Sequence, residues 1–355
     1  MTFLGDYQRE SKKQSGRGRC LHYSDGARCN EIISAHSIQK SGQLSLIAED
    51  GHVYRLSADL STLQKTEGIP RLKKVGINRV STFAGFCKHH DNSLFEPIDN
   101  SPLVPVKEQV ALYAYRCICR EYFVKENAVS VLTKMKVHPD LDAQRRSFLE
   151  ASLLGHSLGF AALKRHKSFF EQALHARDFE QFEFTYFTSS SLCPVQFSGL
   201  LYPDYDFEGH LLQDLGSHES PLDLITFFTA PIEQGWAFGF GWHTSSNGTC
   251  IPFIQSLANQ VATGEKVEDA LLRFSLCCEN HAIRISWWDA LDQQSKTAVI
   301  ERMLLMMHPQ IPIPKQYLAV GCEGIANWKY EYVYTTLPQP PRPISSKIEP
   351  TRCGQ

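Results

Sequence analysis

Four side chains in the first quarter of the sequence have the types that hold zinc. Cys20 and Cys29 are separated by eight residues, and Cys87 and His90 form a tight Cys-x-x-His pair further on. Zinc favours four soft or borderline ligands in a tetrahedron, commonly supplied as sequence-local pairs. His89 adjoins His90, so either imidazole is a candidate for the fourth position. The loop between Cys20 and Cys29 contains Ser24-Asp25-Gly26-Ala27, which suits a turn. A structural zinc explains how about 100 residues with few long apolar runs can hold a shape. The competing reading is of isolated buried cysteines and surface histidines.

Two further residues lie beside these pairs. His36 follows Cys29 after six intervening residues, in Ile33-Ser34-Ala35-His36-Ser37-Ile38, and Asp91 directly follows the second pair. Arg71, Lys73, Lys74 and Arg79 form a basic cluster suited to a phosphate backbone. A second basic cluster comprises Arg9, Lys12, Lys13, Arg17, Arg19 and Arg28. Its plainer reading is a flexible N-terminal arm.

The Cys…Cys…Ala-His-Ser-Ile run, followed by Phe-Cys-x-x-His-Asp, resembles the HNH, or ββα-metal, nucleases. It is more similar still to a bacterial group with an "AHS(I)…GFCxxHD" signature. The resemblance covers roughly residues 18–97. It implies an HNH-like module with structural Zn²⁺ on Cys20, Cys29, Cys87 and His90, and His36 as general base. It also implies Asn78, in Gly76-Ile77-Asn78-Arg79, as the middle Asn, and Asp91 as ligand of a catalytic Mg²⁺ or Mn²⁺. The expected activity is that of a metal-dependent endonuclease with a nucleic-acid partner, in an architecture used by bacterial defence or mobile-element effectors. The sequence departs from the nuclease pattern in three places. Ala35 stands where many active members carry an acidic ligand, Asp91 replaces the final His, and 41 residues separate His36 from Asn78. A non-catalytic zinc module binding nucleic acid or protein, attached to a larger ligand-binding or regulatory region, is the alternative.

The elements that position these residues divide the chain into an expected 1–103 zinc module, a 104–182 helical segment, a 183–337 α+β region and a 338–355 Pro-rich tail. Three prolines, Pro97, Pro102 and Pro105, mark the first boundary. Helical spacing of apolar residues predicts long helices over 107–135 and 141–182. Short aromatic and β-branched runs between 183 and 245 predict an antiparallel sheet, and helices are expected around 251–280 and 286–307. The fold class is therefore α+β.

The 355 residues carry a net charge of −2, which excludes a uniformly basic nucleic-acid coat. Residues 1–90 nevertheless hold 14 Lys and Arg against 8 Asp and Glu. No stretch approaches the ~18 apolar residues of a spanning helix, so no membrane is expected. The opening residues lack the apolar core of a secretory signal, which places the chain in a reducing cytoplasm. There its 11 cysteines read as metal ligands and buried apolar groups. Cys277, Cys278 and His281 lack a second local pair, and Cys117 and Cys119 point to different faces of a helix, so all read as core. Trp236-Ala237-Phe238-Gly239-Phe240-Gly241-Trp242 reads as alternating sheet packing. The aromatic sheet and the tail are candidate surfaces for a protein partner or homo-oligomer.

Overall fold

The computed structural model describes residues 2–24, 28–57, 62, 66, 69–217, 221–305 and 312–338. The expected tail beyond 338 and the Asp25-Gly26-Ala27 turn lie outside the described residues.

The first element is a helix, α1 (Phe3–Ser15), capped by the Thr2 hydroxyl, where the sequence suggested a flexible arm. Its polar residues dock it: Glu10 accepts from Lys134 at 2.6 Å and Asp6 meets His138 at 3.2 Å. Strand β1 (Ile32–His36) pairs antiparallel with β4 (Thr82–Cys87), with a register shift between Ile33 and Ala35. Between them lie α2 (Ser45–Ile47) and a hairpin of β2 (His52–Ser57) and β3 (Arg71–Gly76). β4 runs directly into α3 (Lys88–Asp99).

Helices α4 (Lys107–Met135) and α5 (Ala143–Ala176) follow, close to the spans their apolar spacing predicts. All twelve residues from Gln109 to Arg120 are buried, as in a helix surrounded on every side. Four long strands come next: β5 (Phe182–Ser189), β6 (Val195–Leu201), β7 (Ile225–Ile232) and β8 (Gly235–His243). They are followed by α6 (Asn247–Ala262), α7 (Val267–Ser275), β9 (His281–Ile283), α8 (Ile285–Ala290), α9 (Gln293–Leu305) and β10 (Tyr332–Thr335). The single helix expected over 251–280 is broken where Gly264 takes a φ of +107°, a conformation that ends a helix. The next is divided where the Asp292 carboxylate accepts from the N–H of Ser295 at 2.7 Å.

The main sheet has eight strands in the order β10-β5-β8-β7-β6-β9-β2-β3. One face packs Phe197, Phe227, Phe238, Phe240 and Trp242 against Phe253 and Phe274 of α6 and α7. The other receives α4, with Tyr113 stacked on Phe228 at 4.6 Å. The alternation in β8 follows from this: a Cβ at Gly239 would stand 2.8 Å from the Phe228 ring, and one at Gly241 2.7 Å from Val110. The aromatic run is therefore spent inside the core rather than offered to a partner.

The sheet crosses the boundary expected near residue 103. Tyr54 of β2 bridges Ile283 of β9, so the β2–β3 hairpin is hydrogen-bonded into the C-terminal sheet. Among the described residues, the antiparallel β1–β4 pair, which leads into α3, forms the one other sheet.

Candidate metal centre

Cys20, Cys29, Cys87 and His90 converge, with their ligand atoms all within 4.8 Å of one another. The Nδ1 of His90 lies 3.3, 3.5 and 3.4 Å from the sulfurs of Cys20, Cys29 and Cys87. Bond lengths of 2.3 Å to sulfur and 2.0–2.1 Å to nitrogen at a tetrahedral zinc imply an S···N separation of about 3.5 Å. The donor set and its spacing therefore suit zinc.

Local structure explains the convergence. Cys87 ends β4 and is the N-cap of α3, its sulfur accepting the His90 N–H at 3.4 Å. The segment carrying Cys20 lies against β4 through Arg19 N–H to Ala84 O at 3.0 Å and Leu21 N–H to Gly85 O at 2.8 Å. The Asn30 side chain accepts the His89 N–H at 3.0 Å, tying the Cys29 segment to the same helix start. Of the adjacent imidazoles, His90 enters the site and His89 does not. His22, which the sequence analysis did not single out, stacks on His90 with centroids 4.1 Å apart and an interplanar angle of 7°. Its only sequence signal is its place two residues after Cys20.

Burial pushes the Cys20 thiol up to about 11. Burial acts against Cys87 too, but N–H donation from His90 and Asn30 leaves that thiol below its ordinary value. A metal at this site must displace protons from the sulfurs, which makes its affinity rise with pH.

His36 is held away from these sulfurs, at the end of β1. Its Nε2 lies 3.0 Å from the Ile77 carbonyl oxygen. Since a carbonyl only accepts, Nε2 carries the proton and Nδ1 carries the lone pair. Burial lowers the His36 pKa against the opposing Ile77 bond, and Lys40 and Arg116 add to the lowering. The imidazole is therefore neutral at pH 7.

Asp91 lies in the first turn of α3. Burial raises its pKa; the charges facing it are Arg116, which opposes the shift, and Asp99, which adds to it. Arg116 is almost wholly buried, binds Asp99 through two 2.8 Å hydrogen bonds and lies 4.1 Å over the Phe95 ring. Among the described residues, no group of three or more metal-ligating side chains includes His36 or Asp91. Asn78 and Arg79 lie exposed in the turn after β3.

Arg71, Lys73 and Lys74 lie on β3, the last strand of the sheet. Strand alternation sends Arg71 and Lys73 to one face and Lys74 to the other, so the three do not form one patch. Lys73 also donates to the Thr62 hydroxyl. Charged side chains at an edge oppose pairing with another chain. In the N-terminal basic cluster, Arg9 pairs with Asp6 at 2.7 Å, and Arg19 pairs with Glu126 while lying over Phe123. Cys117, Cys119 and Cys278 are buried thiols. The other metal-capable group, Asp206, Glu208 and His210, is a turn whose Asp206 carboxylate already accepts two backbone N–H groups at 2.8 Å.

The fold and the Cys₃His set define a mixed helix-and-sheet protein with a candidate zinc centre at the start of a helix. No protein-family model, curated protein or solved structure matches the chain. No helix among the described residues is long and apolar enough to cross a membrane.

Proposed function

We propose that the chain hydrolyses phosphodiester bonds in nucleic acid, with His36 as general base and the Cys₃His zinc as structural support. The observation that carries this reading is the bond between His36 Nε2 and the Ile77 carbonyl. It fixes the ring and its tautomer and leaves Nδ1 as proton acceptor, the arrangement a general base requires. The surrounding antiparallel β1–β4 pair leading into α3 agrees with the ββα pattern that the sequence resembles. The zinc, on Cys20, Cys29, Cys87 and His90, supplies rigidity: it ties two segments that precede β1 to the end of β4 and the start of α3.

The arrangement gives the expected Mg²⁺ or Mn²⁺ on Asp91 no support of its own: the nearby Arg116 cation is paired with Asp99, and no group of three or more His, Cys, Asp or Glu side chains includes Asp91 among the described residues. No step is assigned to such an ion, and the proposal rests on the base. That same observation favours a second reading, in which the zinc module binds nucleic acid or protein without cleaving it. His36→Ala separates the two. On the hydrolytic reading it abolishes nicking of plasmid DNA or RNA by the wild-type protein, assayed with and without Mg²⁺ or Mn²⁺, while bound zinc is unchanged. Equal cleavage by both proteins, or none by either, contradicts it.

A further inference from the structure

Away from the metal centre, four segments bring charged groups together. Arg55 comes from β2, Arg120, Glu121 and Lys125 from α4, His156 from α5, and Glu279 from the turn before β9. Glu279 is the hub, within electrostatic reach of Arg55, Arg120, Lys125 and His156. Arg120 is buried and fully engaged, pairing with Glu121 and, at 2.9 Å, with Glu279. The Glu279 side chain is 65% exposed, so the cluster reaches the surface there.

Arg55 is different. Its Nε is sealed from solvent without a partner, and its guanidinium makes no hydrogen bond among the described residues. His156 Nδ1 is likewise sealed and unpartnered. Lys125 also makes no hydrogen bond or ion pair there. Its Nζ stands 3.3 Å from where a Cβ of Gly159 would project, so it lies against α5 just beyond His156. Three cations thus face two carboxylates, and the surplus falls on the groups without partners.

A guanidinium withdrawn from water and left unpaired is costly, and an unsatisfied buried polar group points to an ion or ligand that completes it. Guanidinium, ammonium and imidazole groups converging from several elements match the oxygens of a phosphate. We propose that this cluster binds the phosphate of a phosphomonoester or free phosphate, held by Arg55, Lys125 and His156 beside the Arg120–Glu279 pair. The site does not depend on the hydrolytic role of His36.

Titration calorimetry of the full chain tests it with two probes, inorganic phosphate and adenosine 5′-monophosphate. At least one binds, and Arg55→Gln and Lys125→Gln each weaken that binding by about tenfold or more, the loss of a charge-assisted contact. Tighter binding of the nucleotide assigns part of the recognition to its nucleoside, and tighter binding of inorganic phosphate assigns it to the anion alone. Binding of neither probe, or equal binding by wild type and both variants, overturns the proposal. A second readout separates a ligand group from a structural one. In buffer free of phosphate and sulfate, Arg55→Met raises the melting temperature because it removes an unpaired cation, whereas a fall overturns the proposal. If Arg55→Met does not fold, Lys125→Gln still carries the binding test.

Discussion

The β1–β4 strand pair and the eight-stranded sheet are held in different ways. The sheet is closed by many aromatic contacts: Phe274 alone has Phe207, Phe227, Phe238, Phe240 and Phe253 within 6.3 Å between ring centroids. The strand pair rests Phe83 and Phe86 on the α4 core, but its far end, with Cys20, Cys29 and the start of α3, is gathered by three sulfurs and one imidazole. Stability in the first region is shared among neighbours, so that one lost ring leaves the others in contact. With a metal held there, stability in the second is concentrated in a few bonds to one ion, and losing a ligand loses the site.

That contrast is broken most sharply at Cys87. Cys87→Ser abolishes zinc binding, and because a structural zinc in small modules is worth on the order of 10 kcal/mol, the amides of Arg19, Leu21 and Thr82–His90 lose their protection from hydrogen exchange. The amides of β7 and β8 keep theirs. Phe274→Ala gives the converse, a loss of about 4 kcal/mol in global stability with zinc retained. If both substitutions unfold both regions together, the division between them is wrong.

A smaller effect sharpens the account of the sheet. Burial depresses the His281 pKa to about 4, opposed by its bond to the Cys278 carbonyl. The unfolded chain, with an ordinary value near 6.5, takes up a proton that the folded protein refuses. The His281 contribution is therefore favourable above about pH 6.5 and is lost as the pH falls towards 4, by at most about 3 kcal/mol. His281→Gln flattens the decline in stability over that range; an unchanged slope contradicts the assignment.

The four converging metal-capable side chains were legible in the sequence because the donor chemistry is carried by two local pairs. The choice between His89 and His90 was not, since the two differ only by 100° of helical phase, and that phase is fixed by Cys87 capping α3. The long helices were legible from apolar periodicity, and the four aromatic strands from short aromatic and β-branched runs set between turn residues. The joining of β2 to β9 was hidden, because Tyr54 and Ile283 are remote along the chain and neither run says which edge it meets. Arg116 was overlooked within the run Tyr115-Arg116-Cys117-Ile118-Cys119. A cation in so apolar a helix must find a buried partner, and that was the signal pointing to Asp99 and to the altered surroundings of Asp91.

The central claim is that Cys20, Cys29, Cys87 and His90 hold one zinc ion, and zinc-edge X-ray absorption on the purified full-length protein tests it most directly. The account predicts bound zinc with three sulfur neighbours at about 2.3 Å and one nitrogen at about 2.0 Å. Protein that carries no zinc, or zinc surrounded only by oxygen and nitrogen, contradicts it.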